Sequence, residues 1–405
     1  MFSVFKKISL SSWMIIIYFF STLLNSTLSM LSGSPLLATI ICESSLVIAL
    51  LFVSIKRYKS IKLASLLILA FCFISIILTI FNHPEYYAVM FVDRNIFSDI
   101  FGVGHGLFFF FILTLEDDPK QMMRSLRIGV FFYFINYTLK LFITNALDSF
   151  GSNHDFGYKF MFVSIVYLVW FIKEKKPLSL IVFAISTIEM ILVGARTTIA
   201  AFLFFVVLYY FFNNLSKERI VRKILTSIII GLFSLLVLSD FFRNYLSSIL
   251  SGLNINSKII NSFLTGNNEL DGGRIMMYET DSLLVKEHFF GLGVYWDRYM
   301  FNGRFTYTHN FFYELILDFG WVVGLLIMAA ILIYTVRILF DKENDWKILY
   351  IIFISLWVVR LIFSYSFWIE PTFWASIAII VNFHYCKKRN LVKISCSIVR
   401  RTVLH

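Results

Sequence analysis

The sequence predicts an all-α polytopic integral membrane protein, and three observations predict it. Hydrophobic residues make up 59% of the 405, Phe alone contributes 47 of them, and charged residues only 15%, a composition far from that of a soluble domain. Apolar runs approaching the ~20 residues needed to cross a hydrocarbon core recur along the chain, and the ~10-residue alternating segments of a membrane β-barrel are missing. The connections also alternate in charge. With Met1 on the cytoplasmic side, the inner loops and tails hold 25 of the 36 Lys and Arg and 8 of the 25 acids, a net +17, against −6 for everything else. That is the positive-inside pattern, and it accounts for the formal charge of +11 without a nucleic-acid partner.

The apolar segments fall at about 13–31, 36–55, 61–81, 96–115, 126–147, 157–172, 178–193, 197–213, 223–240, 321–340, 346–364 and 371–386, about twelve spans with both termini cytoplasmic. The first follows Lys6 and Lys7 and is long for a signal peptide, so it reads as an uncleaved helix that acts as its own insertion signal. The run 178–213 is 36 residues long, whereas ~20 suffice to cross the bilayer. It has to turn back, and Gly194-Ala195-Arg196-Thr197 is the place, glycine ending one helix and threonine capping the next. By alternation this sets Arg196 at the outer boundary.

The chain then divides into helices 1–9 within residues 1–240, a large outer loop over 241–320 between helices 9 and 10, helices 10–12 over 321–386, and a basic cytoplasmic tail over 387–405. Within the outer loop, 242–264 and 275–290 carry apolar residues at helical spacing and predict short helices on the membrane surface. Cys42 and Cys72 lie in spans, and Cys386 and Cys396 near the basic C-terminus, so no disulfide framework is implied.

Polar residues inside spans or gathered in the outer loop are the candidates for chemistry. Glu189 and Arg360 sit within predicted spans, where an ionisable group either pairs structurally or lines a polar path. Arg274 follows Gly272-Gly273; its guanidinium can grip two phosphate oxygens, or make a surface ion pair with Asp271 or Glu279. His309-Asn310 follows Thr308 and opens an amphipathic run. If Thr308 caps that helix, the positive end of the helix dipole favours a neutral imidazole, which is what deprotonating a sugar hydroxyl requires. Otherwise the histidine is an interfacial hydrogen-bonding residue. Glu269 and Asp271 have a spacing able to hold a metal, but beside Asn267-Asn268 they read better as solvated acids, and no metal or other cofactor is expected. Tyr295, Trp296 and Tyr299 either stack on sugars or anchor the membrane interface.

In order and spacing, Gly194-Ala195-Arg196-Thr197, Gly273-Arg274, Gly291-Leu292-Gly293 and His309-Asn310 with Gly320 beyond them resemble the O-antigen ligase/polymerase superfamily. The resemblance covers roughly 180–325. It implies a bacterial inner-membrane glycosyltransferase of lipopolysaccharide biosynthesis, with about twelve helices, a fold related to the C-type glycosyltransferases, and an active site facing the periplasm. It further implies that arginines hold an undecaprenyl diphosphate and that the loop histidine is catalytic, roles carried here to Arg196, Arg274 and His309. Asn310, Arg298, Arg304, Arg360 and Glu189 form a second rank. The ligase pattern has Gly, Thr or Tyr where Val323 stands, and the ending ELILDFGWVVG is closer to the polymerases.

The expected partners are undecaprenyl-diphosphate-linked oligosaccharides, as donor and acceptor, together with membrane lipids and, for a polymerase, a chain-length regulator protein. Ligation of the glycan to lipid A-core is the alternative within the family. A lipid-linked oligosaccharide flippase is the alternative outside it, opposed by the long outer insert and the lack of repeating halves.

Overall fold

The computed structural model describes residues 8–84, 96–102, 105–143, 154–193, 196–213, 274–296, 308, 310–342, 344–363 and 365–403. They form helices and no strand. Among the described residues, five helices are long and apolar enough to cross a membrane: Leu10–Ser32, Pro35–Lys56, Leu63–Asn82, Phe156–Glu174 and Phe311–Leu339. This is the build of a helical membrane protein.

In chain order the helices are α1 (Leu10–Ser32), α2 (Pro35–Lys56), α3 (Leu63–Asn82), α4 (Ile96–Phe101), α5 (Gly106–Thr114), α6 (Pro119–Ile143), α7 (His154–Glu174), α8 (Pro177–Val193), α9 (Arg196–Asn213), α10 (Arg274–Glu287), α11 (Phe311–Leu339), α12 (Asn344–Phe363) and α13 (Pro371–Val403). Their limits follow local chemistry. α1 stops at Gly33 in the left-handed region (φ 64°), and α2 starts behind Ser34, whose hydroxyl accepts from Leu37 N, with Pro35 in the first turn. α8 ends at Val193 and α9 begins at Arg196, so the long apolar run is broken where its length required. Thr197 falls inside the first turn of α9 rather than capping it from outside.

Four predicted spans differ from the observed helices. α6 starts at Pro119, well before the apolar run predicted from 126, because Asp118 accepts from Lys120 N (2.9 Å) and begins a polar first turn that hydropathy does not register. The span predicted over 96–115 is two short helices, α4 and α5. α11 starts at Phe311, at the amphipathic run expected to open with His309-Asn310 and ten residues ahead of the apolar span, and changes direction at Gly320 (φ 78°, ψ 170°). α13 runs on through the basic segment to Val403. The segments predicted over 223–240 and 242–264 lie outside the described residues.

α12 is the central helix, packed against α6, α7, α9, α11 and α13. Its middle is apolar all round, and Trp346 and Ile348 through Phe353 are fully buried, as that pattern requires. α2 and α3 instead expose apolar faces, with Ile48, Leu51, Leu67 and Phe81 open; such faces suit lipid.

The linkers 56–62, 114–118, 173–176 and 341–347, with the start of α1 and the segment of α13 near Lys387, gather at one end of the bundle. Lys62 pairs with Asp117 (2.6 Å) and donates to Thr114 O (2.5 Å). Lys173 pairs with Asp345 (3.0 Å), Lys387 with Asp341 (3.0 Å) and Arg127 with Glu174 (3.1 Å). Ser9, Ser11 and Ser12 all donate to Glu116 Oε2. This basic end is knitted closed.

Candidate functional site

At the opposite end, α1, α5, α6, α7 and α12 and the turn between α12 and α13 enclose a cavity of about 290 Å³. Arg360, on the last turn of α12, lies between two phenol rings, 4.6 Å from the centroid of Tyr158 and 3.7 Å from that of Tyr365. Its Nη1 donates to Glu370 Oε2 at 2.7 Å. The other oxygen of Glu370 accepts from Thr372 N (3.1 Å) and Thr372 Oγ1 (2.5 Å), so this carboxylate also caps α13 ahead of Pro371. Glu370 is buried.

Across the cavity, Lys159 holds its Nζ 4.7 Å from the centroid of Tyr137. Tyr133 meets Tyr137 edge-on at 4.6 Å, and His105, at the start of α5, lines the same wall. The cavity thus combines cations from two helices, Arg360 and Lys159, with a shelf of phenols.

A second network fixes the walls. Glu314 and Asp318, one turn apart on α11, are both buried. Glu314 accepts from Ser366 Oγ and from Phe367 N (3.0 Å); Asp318 accepts from Trp368 Nε1 (2.6 Å) and Tyr295 N (3.2 Å). The turn after α12 and the segment after α10 are therefore both tied to one face of α11.

That second segment, a strap over 288–296, contains Gly291-Leu292-Gly293. Leu292 N donates to Leu317 O (2.5 Å), and Trp321 N to Phe289 O (3.0 Å). Gly291 (φ 84°) and Gly320 (φ 78°) touch backbone to backbone: a Cβ on Gly291 would lie 2.5 Å from Gly320 N, and one on Gly320 2.5 Å from the Phe290 carbonyl carbon. Both positions need glycine for conformation and for space. A Cβ on Gly293 would meet Thr79 Oγ1 at 2.6 Å, and that hydroxyl accepts from Val294 N. The strap thus joins α3 to the bend of α11.

It also sets the register of α10. Tyr278 meets Tyr313 (6.3 Å), and Trp321 Nε1 donates to Val285 O (3.0 Å), so α10 runs parallel to the first half of α11.

Of the sequence-predicted residues, Arg196 and Arg274 each begin a helix, and their side chains lie outside the described residues. His309, Arg298, Arg304, Tyr299, Glu269 and Asp271 lie wholly outside them. The expected cap of α11 is corrected: Asn310, not Thr308, accepts from Phe312 N (2.9 Å) and Tyr313 N (3.3 Å), because its short amide reaches both free amides of the first turn. Asn310 Oδ1 is thereby occupied. Arg360 is both paired and lining. Glu189 is buried between helices, accepts from Thr138 Oγ1 (3.3 Å), and does not line the cavity. Tyr295 and Trp296 are buried as well, Trp296 stacked on His83 at 4.0 Å, so neither offers an open face to sugar or membrane interface.

Sequence reasoning missed Lys159, Tyr137, Tyr158, Tyr365 and Glu370. The Glu370-Pro371-Thr372 helix start was a visible signal, and so was the Tyr133/Tyr137 pair at one-turn spacing. Fold and site together define a helical membrane protein with a cation-bearing, tyrosine-lined cavity at one end. No family model, curated protein or solved structure matches the chain.

Proposed function

We propose that the protein is an O-antigen polymerase, a membrane glycosyltransferase. It would move a growing undecaprenyl-diphosphate-linked glycan onto a lipid-linked repeat unit at the periplasmic face of the inner membrane. One observation carries the reading. The glycines of the resembling motif, Gly291 and Gly320, dock on each other, and that contact brings the helix beginning with Arg274 alongside the start of α11, next in sequence to His309. That contact, with α10 laid along the start of α11, supports the reading.

In this mechanism Arg196 and Arg274 hold the diphosphate and stabilise its charge as it leaves. A hydroxyl of the incoming repeat unit attacks the anomeric carbon of the donor glycan. The bond from that carbon to the diphosphate oxygen breaks, its electron pair leaves with undecaprenyl diphosphate, and His309 takes the hydroxyl proton. The arginines supply the charge stabilisation that a metal gives elsewhere.

The test is gel analysis of lipopolysaccharide from a deletion strain complemented with wild type or His309→Ala. A polymerase leaves a single repeat unit on the core in the deletion and in His309→Ala. Loss of every O-unit, with lipid-linked polymer accumulating, would instead identify a ligase. Units trapped on the cytoplasmic leaflet, with His309→Ala fully active, would identify a flippase.

A further inference from the structure

The charges around the cavity do not cancel. Arg360 is matched by Glu370 at 2.7 Å. Lys159 is not: among the described residues no carboxylate pairs with it, and its ammonium lies over the Tyr137 ring. Lys159 sits near the start of α7, where a four-carbon stem usually carries its charge out to water. Here it lines the cavity instead. An ammonium held over a ring face at the rim of a half-enclosed site is poised for an anion.

The rest of the lining says what carries that anion. Tyr133, Tyr137, Tyr158 and Tyr365 line the cavity with phenol rings and hydroxyls, Tyr158 and Tyr365 each giving one face to Arg360 and Tyr137 one to Lys159, a lining whose remaining edges can pack on a sugar ring and hydrogen-bond its substituents. About 290 Å³ lies at the lower bound of ligand pockets, ~300–1,000 Å³, so the site suits one or two sugar rings rather than a long chain.

We propose that this cavity binds an acidic sugar of the glycan repeat unit, with Lys159 taking its anionic group and the tyrosines its ring. Arg360, fixed by Glu370 and two rings, positions that shelf. The proposal rests on the glycan-transfer reading for the kind of ligand. It adds that the repeat unit carries a negative charge of its own, apart from the lipid diphosphate.

Binding to the full chain in lipid nanodiscs tests it, with three probes followed by saturation-transfer NMR: methyl glucuronide, its neutral counterpart methyl glucoside, and inorganic pyrophosphate. The glucuronide is expected to bind about 10-fold or more tightly than the glucoside, the scale of one hydrogen bond to a charged group. Lys159→Gln should erase that preference, and Lys159→Arg should keep it. Equal binding of the two sugars, or no saturable binding by either, overturns the proposal. If pyrophosphate displaces the glucuronide and Lys159→Gln removes pyrophosphate binding, the site belongs to the lipid diphosphate and the proposal falls. Glucuronide binding alongside unchanged chain length in the deletion strain would support this site while sinking the polymerase reading; the reverse pattern would sink only this site.

Discussion

The two ends of the bundle use charge in opposite ways. At the basic end, most ion pairs join linker to linker across partly exposed positions, as with Lys173 and Asp345, 29% and 28% exposed, while Lys62 is buried against Asp117. Such pairs are worth little individually, roughly 0–1 kcal/mol, and serve to align helix ends. At the cavity end, Arg360 and Glu370 are 12% and 2% exposed and sit among aromatic rings. Burying a pair this deeply costs desolvation that its attraction barely offsets. The basic end holds the fold together, whereas the cavity end keeps charge where a ligand meets it.

That contrast can be broken by substitution. The largest effect is expected for Arg360→Gln, which leaves Glu370 buried without its cation. It should cost about 3–5 kcal/mol, read as a fall in thermal unfolding temperature in detergent. Replacing both partners with Met should recover much of this, yet still shorten the glycan, if the charge is there for function. Next comes Gly320→Ala. Its strained backbone alone costs about 1–3 kcal/mol, and the new Cβ also pushes the strap off α11; limited proteolysis within 288–296 should accelerate.

Asn310→Ala should cost about 1 kcal/mol through loss of the α11 cap, while Asn310→Asp should stay near wild type in the same unfolding assay. The smallest effect belongs to the basic end: Lys173→Gln should change stability by less than about 1 kcal/mol and leave chain length untouched. A shortened glycan from Lys173→Gln would erase the distinction between the two ends.

Legibility in the sequence followed the range of each signal. The turn between α8 and α9 was readable because 36 apolar residues exceed one crossing. The helix α10 was readable because Met277, Leu284 and Val285 recur on one face, and all three are buried. The start of α6 was read late because a polar first turn precedes its apolar run, whereas the start of α11 was read within a few residues, at the run that opens with His309-Asn310. Gly291 and Gly320 stood out in the motif, but their mutual contact could not be read, because glycine shows where close approach is allowed and not what approaches.

By itself the sequence determined the helical class, the sites of most turns, the concentration of basic residues in alternate linkers, and the glycines that a crossing would need. Each is a property of a short window, governed by hydropathy, capping or backbone freedom. Only the tertiary structure decided that Lys159, Arg360 and Glu370 share a cavity lined by tyrosines of three helices and a turn, and that Glu189 does not. That choice depends on the rotation of each helix about its axis. Rotation is set by close packing among many similar Phe and Ile surfaces, which local pattern leaves degenerate.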